Sequence, residues 1–270
     1  SHNSFFWKFE EKCKFYVFFK TMIYVEKNCP TTPCLCYRIN QNNVLATIAA
    51  FMPKELAIKI WADPRVVLSN GSAVSAEAIR VERGFLLGGR WNFSSGFSQA
   101  TWVVALTSVK ESDHASMATR EMRNMMIPKE QVDMVDTWQV NGLRGTGSFS
   151  FRTQGLFVPD AHTFVDSNTS REEGPIYRIP KSLLFSSGFA TVALSVARSG
   201  LDFAIELSRT KMPREQSLLM SHSSTQREIG QAEAIWQSAR AFFRATAEEA
   251  WERAVAKHVL PIETRINLRL

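Results

Sequence analysis

Two short stretches concentrate the side chains that could do chemistry. In Gly88-Gly89-Arg90-Trp91-Asn92-Phe93-Ser94-Ser95-Gly96, followed by Ala100-Thr101-Trp102, two aromatics, two hydroxyls and three glycines fall within nine residues. Trp and Phe offer flat apolar walls, and hydroxyl and backbone N–H groups can bond the edge of a planar polar ligand. The same residues also suit a hairpin with a Trp plugged into its core. The second stretch runs Asp136-Thr137-Trp138-Gln139-Val140-Asn141-Gly142-Leu143-Arg144-Gly145-Thr146-Gly147-Ser148, with Phe157-Val158-Pro159 beyond it. Arg144 among free backbone N–H groups could hold an anion. A strand, a turn and a second strand account for it equally well.

Other chemical signals are few. The chain contains no Gly-rich phosphate loop, no HExxH and no GxSxG. Its five histidines, at 2, 114, 162, 222 and 258, are scattered and form no local triad with Ser and Asp. The four cysteines all fall early, at 13, 29, 34 and 36. Cys34-Leu35-Cys36 is too tight for a zinc pair, so no metal site is expected. Unpaired thiols suit a cytoplasmic chain.

The elements that must position these residues follow from the hydrophobic pattern. The 270 residues are 45% hydrophobic and 21% charged, which excludes a wholly disordered or collagen-like protein. A net charge of +6 without a Lys/Arg run argues against nucleic acid as a partner. No long uninterrupted apolar run is present, so no membrane span is expected. Residues 1–43 form an aromatic and Cys-rich extension unlike the rest, holding ten of the thirty aromatics within residues 1–40. Residues 44–64 read as two short helices around Pro53. Residues 65–178 read as a β-domain, with strands expected at 77–87, 89–93, 101–108, 132–141 and 149–158. Turn signals fall at Asn70-Gly71, Gly88-Gly89, Ser95-Gly96, Asn141-Gly142 and Gly145-Thr146-Gly147. The Met-rich stretch 111–126 reads as a surface excursion. From 179 to 270 the period is helical. One seam runs through Phe185, Phe189, Val192, Val196, Gly200, Ala204 and Leu207. A clearer one runs through Ile229, Ala232, Trp236, Ala239, Phe243, Thr246 and Ala250. Two helices cannot close a four-helix core, so the bundle is expected to be partial.

Taken together, these stretches resemble a known family. Phe51-x-Pro53-x-Glu55, Trp61-x-Asp63-Pro64, GGRWNFSSG with ATW, DTWQVNGLRGTGS and LFVP follow in an order and spacing similar to the acyl-CoA dehydrogenase superfamily. The likeness is strongest to its flavin-dependent hydroxylase branch, the oxygenase components of two-component monooxygenases, and covers about residues 44–270. It implies an α+β fold: a remnant of an N-terminal helical domain, a central antiparallel β-domain and a partial C-terminal helical bundle, in a protein that is usually a homotetramer. It implies reduced FMN, or reduced FAD, as cofactor, supplied by a separate flavin reductase. Dioxygen is then used to hydroxylate an aromatic or polycyclic substrate.

On that resemblance Trp91 and Phe93 wall the flavin ring, and Ser94 with Ser95 bonds its edge. Ser69 is a weaker, substrate-side position, and Thr146 and Ser148 lie near the β-domain turn. The Arg-x-Gln-Phe-Gly grip on FAD found in the dehydrogenases is replaced by Lys211-Met212-Pro213-Arg214-Glu215-Gln216-Ser217, which favours a loosely held reduced flavin. The branch's catalytic histidine before the Phe-x-Pro-x-Glu helix is absent, since Gln41-Asn42-Asn43-Val44 stands there, and the catalytic residues stay unassigned. The alternatives are an FAD-dependent acyl-CoA dehydrogenase and a non-catalytic helical interaction module.

Overall fold

A computed structural model describes residues 41, 43–110, 121–165, 167, 169–213 and 217–269. The cysteines and the aromatic-rich first forty residues lie outside the described residues, as do 111–120. The described chain falls into two compact units, one extending to Glu173 and one starting at Gly174.

The first unit is built on a sheet. A 3₁₀ turn at Thr47–Ala50 and the helix α1 (Lys54–Trp61) stand on either side of Pro53, whose fixed φ suits the residue before a helix. Eight strands follow: β1 (Leu68–Asn70), β2 (Ser72–Val81), β3 (Gly84–Ser94), β4 (Trp102–Lys110), β5 (Met122–Pro128), β6 (Asp133–Val135), β7 (Phe149–Pro159) and β8 (Thr163–Val165). They join in one sheet in the order β6-β7-β3-β2-β4-β5-β8, with β1 paired to β4. The sheet is mixed rather than purely antiparallel, because β4 runs parallel to both β1 and β2. Ala78, Phe85, Leu87, Trp91, Val103, Ala105, Met125, Ile127 and Phe151 are buried together on it.

Four expectations shift. The strand expected at 77–87 is broken by a hairpin at Glu82-Arg83, where Arg83 takes a φ of 59°. Gly88-Gly89 is not that turn but lies inside β3. Gly89, at φ 148°, passes so close to β2 that a Cβ would meet the Ser75 carbonyl at 2.4 Å, so glycine is required for approach rather than for turning. The Met-rich stretch is not a surface excursion where it is described: residues 122–128 form β5, flanked by β4 and β8. Met125 and Met126 are both fully buried because that strand is covered on both faces. The strand expected at 132–141 stops at Val135, freeing 136–148 as an irregular loop.

The second unit is helical, with α2 (Lys181–Thr210), α3 (Ser223–Val255) and α4 (Ile262–Asn267). By length and composition alone α2 is long and apolar enough to cross a membrane, although Ser and Gly residues interrupt its apolar run. Its middle carries Arg198, paired with Asp202 at 2.8 Å and with Glu233 of α3 at 2.6 Å. The hydrogen bond from Arg198 is the main reason the Glu233 carboxyl lies below its usual range. Arg198 and Arg240 lie 4.9 and 5.5 Å from the Trp236 ring, whose Nε1–H donates to the Leu194 carbonyl. The α3 seam is closed only at its C-terminal end. Thr246 and Ala250 are buried, Ile229, Trp236 and Phe243 are half-buried, and Ala232 and Ala239 are exposed.

Candidate functional site

The site residues suggested by the sequence converge where β3 ends. Phe85, Leu87 and Trp91 alternate inward along β3, and the next inward position would be Phe93. Instead the pairing with β7 gains one residue on β3 between Trp91 and Ser94, opposite Phe151 and Phe149. Phe93 absorbs this bulge with a φ of 58°, a left-handed backbone that a bulky side chain rarely adopts. The bulge inverts the pattern. Phe93 points out, 63% exposed, and Ser94 turns in, fully buried. Trp138, from the loop after β6, meets the Phe93 ring edge to face at 6.3 Å and 83°. Its Nε1–H donates to the carbonyl of Leu143, another left-handed non-glycine residue, at φ 54°. Sequence reasoning did not put Trp138 in the site; its only signal there was an aromatic in the second Gly-rich stretch.

Trp91 does not wall an open surface. It is fully buried, stacks on Phe151 at 5.0 Å and 10°, and gives its Nε1–H to the Leu106 carbonyl. In this stretch Trp91 is the buried plug and Phe93 is the exposed aromatic.

Ser69, Ser94, Ser95, Thr146 and Ser148 come together as a buried set drawn from β1, the end of β3 and the turn before β7. Ser69 Oγ lies 2.6 Å from Ser94 Oγ and donates to the Ser95 carbonyl at 2.8 Å. Ser95 Oγ lies 2.8 Å from Ser148 Oγ, which is 2.7 Å from Thr146 Oγ1. Thr146 Oγ1 donates to the Leu143 carbonyl at 2.9 Å. Each hydroxyl owns one proton, so the directions are forced. Ser94 donates to Ser69; Ser95 donates to Ser148, and Ser148 donates to Thr146. Every hydroxyl proton in the set is therefore spent inside the protein. Ser94 and Ser95 brace the turn through these bonds. The Gly96 N–H donates to the Thr146 carbonyl at 2.9 Å, joining the same two segments through the backbone.

The second stretch loses much of its capacity for an anion. The N–H groups of Thr146 and Gly147 are already bonded to the Leu143 and Arg144 carbonyls, and the Arg144 side chain is exposed. Buried Gln41 donates its side-chain amide to Asn70 Oδ1, beside Ser69. Among the described residues no group of three His, Cys, Asp or Glu side chains is placed to hold a metal ion.

The described histidine with the most elaborate surroundings is His162, outside this set. Its Nε2 lies 3.0 Å from Lys59 Nζ and its ring meets Trp102 edge to face at 5.6 Å. Burial first, and the Lys59 charge second, hold its pKa below the ordinary value.

Comparison with known proteins agrees with this architecture. Residues 187–270 match the acyl-CoA dehydrogenase C-terminal domain. The chain is 30% identical over 226 residues to the indole-3-acetate monooxygenase of Pseudomonas putida, a stretch that is 82% of this chain and 56% of that protein. The chain thus spans little more than half the length of that relative. Its fold is similar to XiaF from Streptomyces sp., solved in complex with FADH2 and glycerol, with a TM-score of 0.79 at 19% identity over 88% of this chain and 62% of that one. It is also similar to TdsC from Paenibacillus sp. A11-2, solved with FMN and indole, with a TM-score of 0.73 at 18% identity over 92% and 66% of the two chains. Residues 187–270 are thus similar to an acyl-CoA dehydrogenase C-terminal domain, and the chain as a whole is similar to proteins named as flavin-dependent monooxygenases and hydroxylases.

Proposed function

We propose that the chain is part of the oxygenase component of a two-component monooxygenase. It would hydroxylate a small aromatic substrate with O2 and with reduced FMN or FAD delivered by a separate reductase. The observation that carries this reading is Phe93. A bulky ring held outward on a left-handed backbone costs about 1–3 kcal/mol, and such strain concentrates at ligand-binding positions. The residues fit one face of a flavin ring. Phe93 would lie against that face, with Trp138 at its edge and the buried hydroxyl set fixing the turn beneath. When bound, the flavin would supply the electrons that reduce O2 and transfer one oxygen atom to the substrate. The protein's part is to hold the ring flat and to keep water from it.

A dehydrogenase reading needs a catalytic carboxylate poised as a base. The described carboxylates with shifted pKa values, Asp63, Glu233 and Glu249, are all pushed down, in each case chiefly by hydrogen bonds from an arginine. What supports the monooxygenase instead is that the curated relatives are named as monooxygenases and hydroxylases. Association into a homotetramer, and work in the cytoplasm, belong to the same proposal. In its support, α2 and α3 leave a groove of about 970 Å³ lined by Phe189, Leu194, Ala197, Ile235, Trp236 and Phe243.

Anaerobic titration of the purified protein with reduced FMN and reduced FAD, followed by oxygen and an aromatic acceptor such as indole or a phenol, tests the proposal. The expected result is a colourless preparation that binds the reduced flavin and yields a product carrying one atom of ¹⁸O from ¹⁸O2. Yellow protein that retains oxidised FAD and dehydrogenates an acyl thioester would establish the dehydrogenase instead. Binding of neither flavin form would leave the interaction module.

A further inference from the structure

We infer that Ser69 is a positioning residue for Phe93: its buried hydroxyl holds the exposed ring in its outward setting by clamping the two residues that follow it. The inference deepens the flavin reading above and rests on Phe93 being the ring contact.

The clamp is visible in its bonds. Ser69 is fully buried, and its hydroxyl makes two hydrogen bonds, both to the segment after Phe93. It accepts the Ser94 hydroxyl proton and gives its own to the Ser95 carbonyl. The Ser95 N–H in turn donates to the Phe93 carbonyl at 2.9 Å, closing the turn on the strained residue itself. Ser69 is well placed to act as an anchor. It belongs to β1, and its register partner on β4 is Val103, also fully buried. The clamp therefore ties the turn to a fixed part of the sheet, not to a loop.

Phe93 needs such an anchor. A phenylalanine at φ 58° gains by relaxing to an extended backbone. Extended backbone would restore the alternation of β3 and turn the ring inward. That side is already filled by the stacked rings of Trp91, Phe151 and Phe97, with Phe97 5.9 Å from Phe151. Without the Ser69 hydroxyl the turn would sample several settings, and the outward one would be only one of them. A ligand that requires the outward ring would then bind more weakly by the fraction of chains holding it. Alanine at 69 removes both bonds and little volume, so the fold should survive it.

The test is a double-mutant cycle read by anaerobic titration with reduced FMN. Ser69→Ala is expected to weaken binding roughly tenfold. The double variant Ser69→Ala/Phe93→Ala is expected to bind no more weakly than Phe93→Ala alone, since Ser69 acts only through the ring. Thr153→Val controls for the loss of a buried hydroxyl in the same sheet. Thr153 donates to the Leu87 carbonyl, away from the turn, and its loss should leave the affinity at the parent value. Parent-like affinity for Ser69→Ala, additive losses in the double variant, or an equal loss from Thr153→Val would each overturn the inference. Should Phe93→Ala alone bind like the parent, the flavin-face reading fails first, and the inference falls with it.

Discussion

The hydroxyls of Ser69 and Ser94 lie 2.6 Å apart, and the proton between them belongs to Ser94, because Ser69 has given its own to the Ser95 carbonyl. The same counting orders the rest of the set, from Ser95 through Ser148 and Thr146 to the Leu143 carbonyl. These serines and the threonine are therefore a directional brace, and the direction has measurable consequences.

Removing different members of the brace should cost different amounts. Ser148→Ala strands the Ser95 hydroxyl proton in a buried site, so it should lower stability by about 1–3 kcal/mol. Ser94→Ala removes a terminal donor and leaves only an unused lone pair on Ser69, so it should cost about 0.5–1.5 kcal/mol. Urea denaturation of the two variants measures the difference. Equal costs, or a larger cost at Ser94, would mean that the proton order is reversed.

Trp91→Ala should behave as a core deletion. The ring is fully buried against Phe151 and bonded to the Leu106 carbonyl, so its loss should cost about 3–5 kcal/mol. Trp91→Phe keeps most of the packing and loses the Nε1–H donor, and should cost far less. Paired denaturation curves check this. A Trp91→Ala variant of parental stability with weakened flavin binding would return Trp91 to the ligand surface.

Phe93→Gly should stabilise the protein while impairing its site. Glycine adopts a φ of 58° without the penalty borne by phenylalanine, which should add about 1 kcal/mol of stability. The same change deletes the proposed ring contact, so affinity for reduced FMN should fall. A thermal unfolding midpoint that rises while binding falls is the expected pair of results. A lower midpoint would show that the exposed ring is itself a structural element.

His162 should make stability depend on pH. Its folded-state pKa lies below the ordinary histidine value of about 6.5, because burial and then the Lys59 ammonium disfavour the charged ring. The unfolded chain therefore takes up the proton first. This contribution to stability is complete above that ordinary value and is lost as pH falls through it toward the folded pKa. Lys59→Met removes one of the two causes, so the imidazole should titrate at higher pH in NMR spectra. An unchanged titration would mean that burial alone holds the shift.

Much of this protein was legible in its sequence, and the reason is local. The two long helices follow from apolar residues recurring every three or four positions, and α3 (Ser223–Val255) contains the whole expected seam from Ile229 to Ala250. The Gly-rich stretches marked the two segments that form the site, because a turn at Gly96 with φ 77° needs a residue that tolerates it. The resemblance to the superfamily rested on the same short stretches.

What the sequence could not decide was which way the side chains of those stretches face. Trp91, Phe93 and Ser94 are equally good candidates for a ligand surface on residue type alone. One extra residue in the pairing of β3 with β7 sends Trp91 into the core, Phe93 outward and Ser94 inward. Register is a property of two strands 60 residues apart, so a pattern read along one of them does not contain it. The hydroxyl chain has the same origin: Ser69, Ser95 and Ser148 become neighbours only when β1, β3 and the turn before β7 are assembled, and only then does each proton acquire a direction.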